Sequence, residues 1–376
     1  MSKVKLKILE LRKQEGLNQQ ELADTLGVSF QTVSKWETGI TMPDISLLPD
    51  ISEYFKVTVD ELLGLIPLRC QKYIPRESDN HNENTEKYDQ LYKNRKYFWN
   101  DDYLKFLIDE VWHIADPIQM IEYRCCDGYM GRKLLDLLPK GSTYTGIDSS
   151  YYIEKAKYLY RDTKYHVKFF ESDLYTHPPR FAFGQKSNFD LAFIQAGLRH
   201  MSAPKTILKN MISSIKKDGL VVCAEINREF ENDGLYINGM DYNRLCTTFD
   251  WHKLWKKELE TEGRDYAIGM RLPFYLKELG LHDIDVRLND KITFANPESE
   301  IYNDTLDDFI RINELDTMLD TDKKDKFIEI FMSRGYNRSE IETYFQLKTD
   351  MKRFFENHSE SSFLKTYAFL ISFGRK

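Results

Sequence analysis

The sequence lacks several features that would indicate a specialised class of protein. Its five cysteines include no C-x-x-C pair, so a structural zinc site is not indicated, and their odd number is typical of free thiols in a reducing cytoplasm. No apolar run is long enough to cross a bilayer, and no signal peptide begins the chain. The net charge of −7 excludes an overall excess of basic residues, so any nucleic-acid-binding surface has to be local. We therefore expect a cytoplasmic protein without a membrane segment or a metal site.

The composition is that of a globular protein, and the length indicates more than one domain. Of its 376 residues, 41% are hydrophobic and 30% are charged, and this length favours two or three domains. Residues 76–87, RESDNHNENTEK, contain no apolar side chain and are typical of a flexible tether. We predict a first domain over residues 1–68, a linker over 69–96 and a large domain over 97–376.

Residues 1–66 carry the apolar spacing of five short helices, the first of them expected over Lys3–Gln14. Asn18, followed three residues later by Glu21, predicts a capping box at the start of the second helix. Gly27 supplies a tight turn between the second and third helices, and Ser29 caps the third. The pattern therefore predicts a compact all-helical domain.

The run LNQQELADTLGVSFQTVSKWETG resembles the helix-turn-helix (HTH) of Cro/lambda-repressor (XRE) type regulators along its whole length. The resemblance implies that the third helix enters the major groove of a double-stranded DNA operator, and that a homodimer binds two half-sites. The residues that it implies for DNA contacts are Gln19 and Gln20 at backbone phosphates, Thr32 and Ser34 near the backbone, and Phe30, Gln31 and Lys35 at base edges.

A helical adaptor that has lost DNA is the alternative interpretation of this domain. Residues 1–66 hold seven Lys and Arg against ten Asp and Glu, a net charge of −3, which is unfavourable for binding a polyanion. The polar side chains on the third helix favour DNA binding, because an adaptor does not need them.

The stretch Gln119 to Ser149 predicts a βαβ unit in the large domain. A first strand over Gln119–Arg124 leads into a loop around Gly128 and a helix over about 129–138, and a second strand ends at Asp148. In such units ligands bind beyond the carboxyl ends of the strands, at the helix N-terminus. Asp148 stands where a carboxylate can accept hydrogen bonds from ribose hydroxyls.

This stretch resembles motif I of class I S-adenosylmethionine (SAM) methyltransferases, in which an acidic residue precedes Gly-x-Gly-x-Gly. Here Glu122 is followed by YRCCDG, so Arg124 and Cys126 stand at the first two glycine positions and only Gly128 is retained. The resemblance implies SAM or S-adenosylhomocysteine (SAH) as cofactor. The cofactor-binding residues that it implies are Glu122, Tyr123, Cys125, Gly128, Asp148, Ser149, Asp173, Leu174 and Gln195. Asp173 would bond the adenine amino group, or it could simply cap a loop.

The fold class that follows is α/β, with an all-α five-helix HTH domain followed by a Rossmann-like class I methyltransferase domain that carries helical insertions. The C-terminal run Thr366–Phe373 is expected as one antiparallel strand between the fifth and sixth strands. An insertion over about 304–359 is helical, and Ser339 with Glu342 predicts one of its caps. This insertion could be a lid or a dimerisation surface, and the twofold implied by the HTH favours dimerisation.

Methyl transfer needs a positioned nucleophile and sometimes a base, because the sulfonium is already activated. His200 and Glu225 follow strand ends facing the predicted pocket and are the candidate catalytic residues. A loop histidine is more often a surface residue, and Glu225 could instead pair with Arg228. Tyr97, Trp99 or Tyr103 could touch the cofactor or lie in the core, and the methyl acceptor would be an unknown small molecule.

Three hypotheses for the whole chain remain at this point. The first is a regulator whose methyltransferase-like domain binds SAM or a related ligand as a signal. The second is an active small-molecule methyltransferase whose HTH controls its own gene, and the third is a catalytically dead fold used for dimerisation or partner binding. Arg124 and Cys126 favour the first or third, whereas Asp148 and Asp173 favour the first or second. A DNA-modifying methyltransferase is not favoured, because the sequence has neither an Asn/Asp-Pro-Pro-aromatic segment nor a Pro-Cys nucleophile.

Overall fold

The protein is described here by a computed structural model in which the chain divides into two compact units. One comprises Met1–Ile74 with Lys256–Arg264, and the other comprises Pro75–Trp255 with Asp265–Lys376. The structure describes residues 6–15, 17–55, 57–65, 68, 98–172, 189–201, 204–227, 234–246, 249–262, 264–315, 321–367 and 369–376. The predicted linker and the predicted adenine-side residues Asp173 and Leu174 lie outside these ranges.

The first unit contains the five short helices that the sequence predicts. They are α1 (Ile8–Gln14), α2 (Gln19–Leu26), α3 (Phe30–Glu37), α4 (Leu48–Phe55), which follows a 3-10 turn over Ile45–Leu47, and α5 (Val59–Leu62). Asn18 and Glu21 form the expected capping box, and Gly27 takes a left-handed conformation with φ of 67° between α2 and α3. Helix α1 begins at Ile8, later than predicted, because Leu6 and Lys7 are not helical.

One apolar core holds these helices together. It includes Ile8, Leu11, Leu22, Val33, Trp36, Ile51 and Phe55, all of them buried. Because α2 and α3 each bury only one face, α3 leaves its other side exposed. Burial of these large side chains accounts for most of the stability of so small a unit.

The large unit is built on a seven-stranded sheet. Its strands are β1 (Gln119–Tyr123), β2 (Thr143–Asp148), β3 (His166–Glu171), β4 (Phe189–Gln195), β5 (Ile215–Ile226), β7 (His282–Leu288) and β10 (Phe369–Arg375). Their order is β3-β2-β1-β4-β5-β10-β7, and β10 is antiparallel to both of its neighbours. This confirms the Rossmann-like α/β sheet with its antiparallel insertion. The chain reverses direction across the sheet between β1 and β4, so this is the topological switch point.

Helices cover both faces of this sheet. They are α6 (Asp101–Phe106), which continues as a π-helical turn over Leu107–Val111, α7 (Tyr129–Leu137), α8 (Ser150–Tyr160), α9 (Pro204–Ser214) and α12 (Ile268–Glu278). Two further helices, α10 (Tyr242–Cys246) and α11 (Trp251–Glu262), contribute to other apolar clusters. One buried cluster contains Trp99, Trp112 and Phe193, and a second, on the other face, contains Ile194 and Leu208. In the described part of the chain no helix has the length and apolar character needed to cross a membrane.

The C-terminal run forms the predicted antiparallel strand, but this strand begins at Phe369 and not at Thr366. Residues Phe363–Thr366 form β9, which is the middle strand of a second sheet with β6 (Leu235–Ile237) and β8 (Ile292–Ala295). Only from Phe369 does the chain join the main sheet as β10. The separation follows from what lies beneath each strand, because Phe363 packs on a helical cluster with Phe309 and Phe355, whereas Phe369 belongs to the main core.

The predicted helical insertion consists of α13 (Tyr302–Ile312), α14 (Thr321–Ser333) and α15 (Arg338–Asn357). The predicted cap at Ser339 and Glu342 is wrong. Asn337 caps α15 instead, since its side chain accepts from the backbone N–H of Glu340 and the Glu340 carboxylate accepts from the N–H of Asn337. The pair is spaced as a capping box requires, and it starts the helix earlier than the predicted pair would.

A largely buried lysine in this insertion leads to a pH-dependent prediction. Lys348 donates to the carbonyl oxygen of Asn313 at 2.7 Å, and burial lowers its pKa to about 8, although the nearby Glu314 opposes the shift. Above pH 8 and up to the unfolded value near 10.4, the unfolded state binds a proton that the folded state has lost, so stability rises with pH. At pH 7 the buried ammonium is a cost, and we expect Lys348→Met to raise the melting temperature of this unit by about 2–6 °C.

Thermal melts followed by circular dichroism at pH 7 and pH 10 check this expectation. The gain from Lys348→Met should shrink at pH 10, because the wild-type amine is then largely neutral. Lys209→Met, which removes an exposed lysine of α9, is the matched control and should show no such pH-dependent difference. If Lys348→Met raises the melting temperature equally at both pH values, the buried ammonium of Lys348 is not the source of the destabilisation.

Candidate functional site

The loop that joins β1 to α7 has an unusual backbone for its sequence. Arg124, Cys126 and Gly128 all have positive φ, at 56°, 56° and 79°. These are the three positions at which the predicted motif would carry glycine. A left-handed conformation costs a non-glycine residue roughly 1–2 kcal/mol, so the surrounding structure has to hold Arg124 and Cys126 in place. The loop thus has left-handed backbone conformations at all three positions, although two of them do not carry glycine.

Gly128 is fixed by space as well as by its dihedral angle. A Cβ at this position would lie 2.7 Å from a ring carbon of Tyr160, whose hydroxyl donates to the Gly128 carbonyl oxygen at 2.9 Å. Tyr160 stacks on Tyr144, and the Tyr144 hydroxyl donates to the carboxylate of Glu122 at 2.6 Å. Glu122 therefore lies inside the core beneath the loop, where its hydrogen bond to Tyr144 helps to fix the two stacked tyrosines.

Asp148 ties the end of β2 to this loop. One carboxylate oxygen accepts from the Cys126 N–H at 2.8 Å, and the other accepts from the Ser149 N–H at 2.7 Å. The side chain is buried, with 4% of its surface exposed. In the predicted motif, a carboxylate at this strand end is the group expected to accept hydrogen bonds from ribose hydroxyls. The Asp148–Cys126 bond is also a direct reason why Cys126 can hold its left-handed conformation.

Arg124 spans the switch point of the sheet. Its side chain leaves the end of β1, and a guanidinium N–H donates to the carbonyl oxygen of Ala196, directly after β4. Its Cδ lies 3.1 Å from the place that a Cβ on Gly197 would occupy, so the side chain packs against the backbone of that turn. Ligands of open α/β sheets bind outside the strands at such a point. The arginine thus lies at the switch point, where a ligand of this fold would be expected.

Glu225 lies under the same turn, near the end of β5. Its side chain is fully buried, and one oxygen accepts from the N–H groups of Gly197 and Leu198 at 2.7 and 2.6 Å. The other oxygen lies 3.8 Å from a guanidinium nitrogen of Arg199. Burial raises the pKa of Glu225, and Arg199, the two amide donors and Arg124 oppose that rise. The described structure places Arg199 beside this carboxylate, and the alternative partner Arg228 lies outside the described residues.

The other predicted cofactor residues near the loop have buried side chains. Gln195 accepts a hydrogen bond from the indole N–H of Trp99 at 3.1 Å, and both side chains are almost fully buried. Tyr123 is buried, and burial raises its pKa. Burial and the carboxylates of Asp148 and Glu122 raise the pKa of the Cys125 thiol, so this thiol is not an activated nucleophile.

Some predicted positions are only partly described. The side chain of His200 lies outside the described residues, although its backbone belongs to the 3-10 turn Leu198–His200. A cavity of about 920 Å³ runs along the exposed side of α8 from Asp127 and Ser150 to Tyr158. It adjoins the Asp148 side of the loop rather than the Arg124 side. Within the described ranges, no group of three or more His, Cys, Asp or Glu side chains is placed to hold a metal ion.

Helix α3 of the first unit exposes the side chains that the sequence assigns to base edges. Phe30 is 42% exposed, Gln31 and Lys35 are exposed, and Thr32 and Ser34 are half-buried. The side chains predicted to contact base edges are therefore accessible on α3.

Two side chains of α2 assigned to phosphates already have partners in the unit. The Gln19 amide donates to the carboxylate of Glu37 at 2.6 Å, where Arg12 also binds through two nitrogens. Gln20 donates to Asp24. Arg12 and Glu37 are nearly buried, so their pair fixes α1 to the end of α3. Gln19 would therefore contact a phosphate while its side-chain amide is held by the Arg12–Glu37 pair.

Comparisons with known proteins agree with both halves of this structure. Residues 8–62 match a family model described as "Helix-turn-helix", and residues 122–223 match one described as "Methyltransferase domain". Residues 8–62 form a helix-turn-helix domain, and residues 122–223 belong to a methyltransferase domain.

The HTH domain is similar to two characterised regulators. The HTH-type transcriptional activator BcrR of Enterococcus faecalis is 45% identical over 58 residues, which are 15% of this chain and 28% of that protein. The HTH-type transcriptional regulator AnsR of Bacillus subtilis (strain 168) is 36% identical over 58 residues, 15% of this chain and 50% of that protein. The chain thus spans half or less of the length of these relatives, and the likeness is confined to the HTH domain.

Solved methyltransferase structures are similar to the chain at low identity. Phosphoethanolamine N-methyltransferase 2 of Haemonchus contortus, in complex with SAM, is 12% identical, with 81% of this chain and 60% of that chain covered and a TM-score of 0.43. A SAM-dependent methyltransferase of Geobacter sulfurreducens, in complex with SAH, is 13% identical, with 72% and 90% covered and a TM-score of 0.36.

Sequence reasoning missed two contributors to the site of the methyltransferase domain. No role is assigned to Arg199 or to Ala196 from the sequence. Neither has a local signal, because their contacts are with Glu225 and Arg124, which are distant in sequence. The register of β1, β4 and β5 brings these residues to one edge of the sheet.

Proposed function

We propose that this protein is a DNA-binding transcriptional regulator whose methyltransferase domain binds SAM or SAH as a signal. The observation that carries the proposal is the loop after β1. Its backbone keeps left-handed turns at Arg124, Cys126 and Gly128, and Asp148 still binds it, although two glycines have been replaced. A fold used only for dimerisation would have no need to hold two non-glycine residues in a strained conformation.

The contacts around the same loop favour ligand binding without methyl transfer. Arg124 lies across the switch point, where a methyl acceptor would have to approach the methyl donor. Glu225, the candidate base, uses one oxygen to hold two backbone amides, and its other oxygen faces Arg199. A general base must be within hydrogen-bond reach of its substrate, and neither oxygen is directed to an open space by these contacts. We therefore favour a ligand sensor over a small-molecule methyltransferase.

DNA recognition by α3 is the second part of the proposal. The exposure of Phe30, Gln31 and Lys35 supports it over the adaptor alternative, because these side chains form a continuous surface on one helix. Gln can pair with adenine through two hydrogen bonds, Lys can reach guanine, and an aromatic ring can contact a thymine methyl group. A twofold operator would require two copies of the chain, and the homodimer stays a prediction.

Calorimetric titration of the full chain with SAM and with SAH tests the ligand half of the proposal. We expect saturable binding of at least one of them with a stoichiometry of one per chain, and no heat from homocysteine or uridine. Incubation with radiolabelled SAM and a panel of small amines and thiols then separates a sensor from an enzyme, with negligible methyl transfer expected. Failure of both nucleosides to bind would leave only the dead-fold alternative.

A further inference from the structure

The edge strands of the two sheets in the large unit differ in charge. In the seven-stranded sheet, edge strand β3 carries Lys168 and Glu171, and edge strand β7 carries Asp285 and Arg287. Charged side chains on an edge strand hinder its pairing with another chain. In the three-stranded sheet, edge strand β6 is uncharged but is in contact with α10. The other edge strand, β8, has no charged residue over Ile292–Ala295, and in the part of the chain that the structure describes it pairs with β9 alone.

One face of the three-stranded sheet is apolar and exposed. Tyr236, Leu364 and Phe294 are directly paired across its three strands, so their side chains lie on the same face. Phe294 is 64% exposed, and Ile292, two residues earlier on β8 and therefore on the same face, is 52% exposed. The opposite face packs on the helical cluster that contains Phe363. An uncharged strand edge beside an exposed apolar face is a surface that another chain can cover.

We propose that β8 pairs with β8 of a second copy of this chain, antiparallel across a twofold axis, so that the two small sheets become one sheet of six strands. An edge strand is complementary to itself in this arrangement, because a twofold axis perpendicular to the sheet makes the two strands antiparallel. The lack of charge on β8 disfavours a nucleic acid or a charged peptide as the occupant. The proposal rests on the proposed function in one respect, since a twofold operator requires two copies.

The exposed apolar area around β8 suits the centre of a dimer interface. Leu288, Ile292, Phe294 and Ile301 belong to one short stretch of the chain, and each is more than half exposed. Half-exposed side chains of this size present roughly 100 Å² each, so together they present about 400 Å². A stable interface buries about 800 Å² per partner, and these side chains therefore supply about half of it. The strand edge and the neighbouring polar side chains supply the remainder.

The two faces of β8 determine the register of the pair. Residues opposite each other on antiparallel strands point to the same face, and the twofold axis keeps each face on its own side. With Thr293 on the axis, Ile292 of each copy lies opposite Phe294 of the other, so both exposed side chains gain an apolar partner. With Phe294 on the axis, Ile292 would lie opposite Asn296. The register centred on Thr293 thus covers more apolar surface.

Sedimentation velocity of the full-length wild type and of Phe294→Lys tests the surface. We expect a dimeric wild type, and we expect Phe294→Lys to raise the dimer dissociation constant by about 10-fold or more, because pairing would bury two ammonium groups. Phe294 is exposed, so the monomer should stay folded with an unchanged melting temperature. Phe274→Lys makes the same change at a side chain that is 72% exposed on α12, and it should remain dimeric.

Oxidative cross-linking of Thr293→Cys tests the register. On the twofold axis the two introduced thiols lie directly opposite each other, within the Cα separation that a disulfide spans. We expect a covalent dimer on a non-reducing gel. Phe274→Cys should give none, and the wild type controls for the native thiols.

Three results would overturn the proposal. The first is a monomeric wild type, and the second is a Phe294→Lys dimer as stable as that of the wild type, which would assign dimerisation to another surface such as the helical insertion. The third is the absence of a disulfide in Thr293→Cys. None of them bears on SAH binding, which calorimetry measures separately, so failure of this interface and failure of the ligand sensor are distinguishable.

Discussion

The Gln31→Ala, Lys35→Ala double variant is expected to lose sequence-specific DNA binding by about 100-fold or more, because each base-edge contact of this kind discriminates by about 1–3 kcal/mol. Both side chains are exposed on α3 and belong to no part of the core, so the domain should remain folded. The measurement is a gel shift with a duplex that the wild type has selected from random sequence. Residual non-specific binding should persist, because phosphate contacts elsewhere are unchanged.

The matched control is Lys13→Ala. It removes the same charge from an exposed position of α1, outside the predicted reading surface. It should weaken binding only slightly, and equally for specific and random duplexes. If Lys13→Ala and the double variant weaken binding to the same extent, α3 is not the reading helix.

Asp148→Ala is expected to abolish nucleoside binding in the methyltransferase domain. The substitution removes the acceptor for the ribose hydroxyls and also that of the Cys126 N–H, so the left-handed turn loses a charge-assisted hydrogen bond. Hydrogen bonds to charged groups contribute about 1.5–3 kcal/mol each, so we expect affinity to fall by about 100-fold or more. Calorimetric titration with SAH measures this loss.

Two further variants separate binding from folding. Asp148→Asn keeps one acceptor oxygen and should retain the fold while it binds more weakly than the wild type. Glu342→Ala removes a carboxylate that is 57% exposed on α15, and it should bind as the wild type does. Wild-type affinity in Asp148→Ala, with an unchanged melting temperature, would show that the nucleoside does not bind at this strand end.

The parts of the fold that the sequence predicts are those with local signals. Asn18 and Glu21 are three residues apart, and a capping box needs no knowledge of the rest of the chain. The βαβ unit around Gly128 is equally local, because its strands are short apolar runs and its helix has a clear apolar face. The identity of the two domains therefore follows from the sequence.

What the sequence could not supply depends on contacts between distant residues. The end of β9 at Thr366 and the start of β10 at Phe369 follow from which core lies beneath Phe363 and Phe369. The contact of Arg124 with Ala196 requires the register of β1 and β4. The cap of α15 is a different case, because both Asn337 and Ser339 are followed three residues later by a glutamate. Two competing local signals were present there, and the sequence alone did not decide between them.

The positive φ of Arg124 and Cys126 shows how much of the loop geometry depends on residues outside the loop. The motif predicts where left-handed residues are needed, and two of those three positions carry a residue other than glycine. The structure retains the left-handed backbone, since Asp148 and the carbonyl of Ala196 hold the two residues from outside the loop. The loop geometry therefore depends on the sheet around it more than on glycine itself.

The most direct measurement is the affinity of the full chain for its selected DNA site with and without saturating SAH. A regulator that uses the nucleoside as a signal should change its dissociation constant for DNA by about 5-fold or more, and bound DNA should change the affinity for SAH by the same factor. Asp148→Ala should show no such change. An identical DNA affinity with and without SAH, under conditions in which calorimetry shows the nucleoside to be bound, would contradict a ligand-controlled regulator.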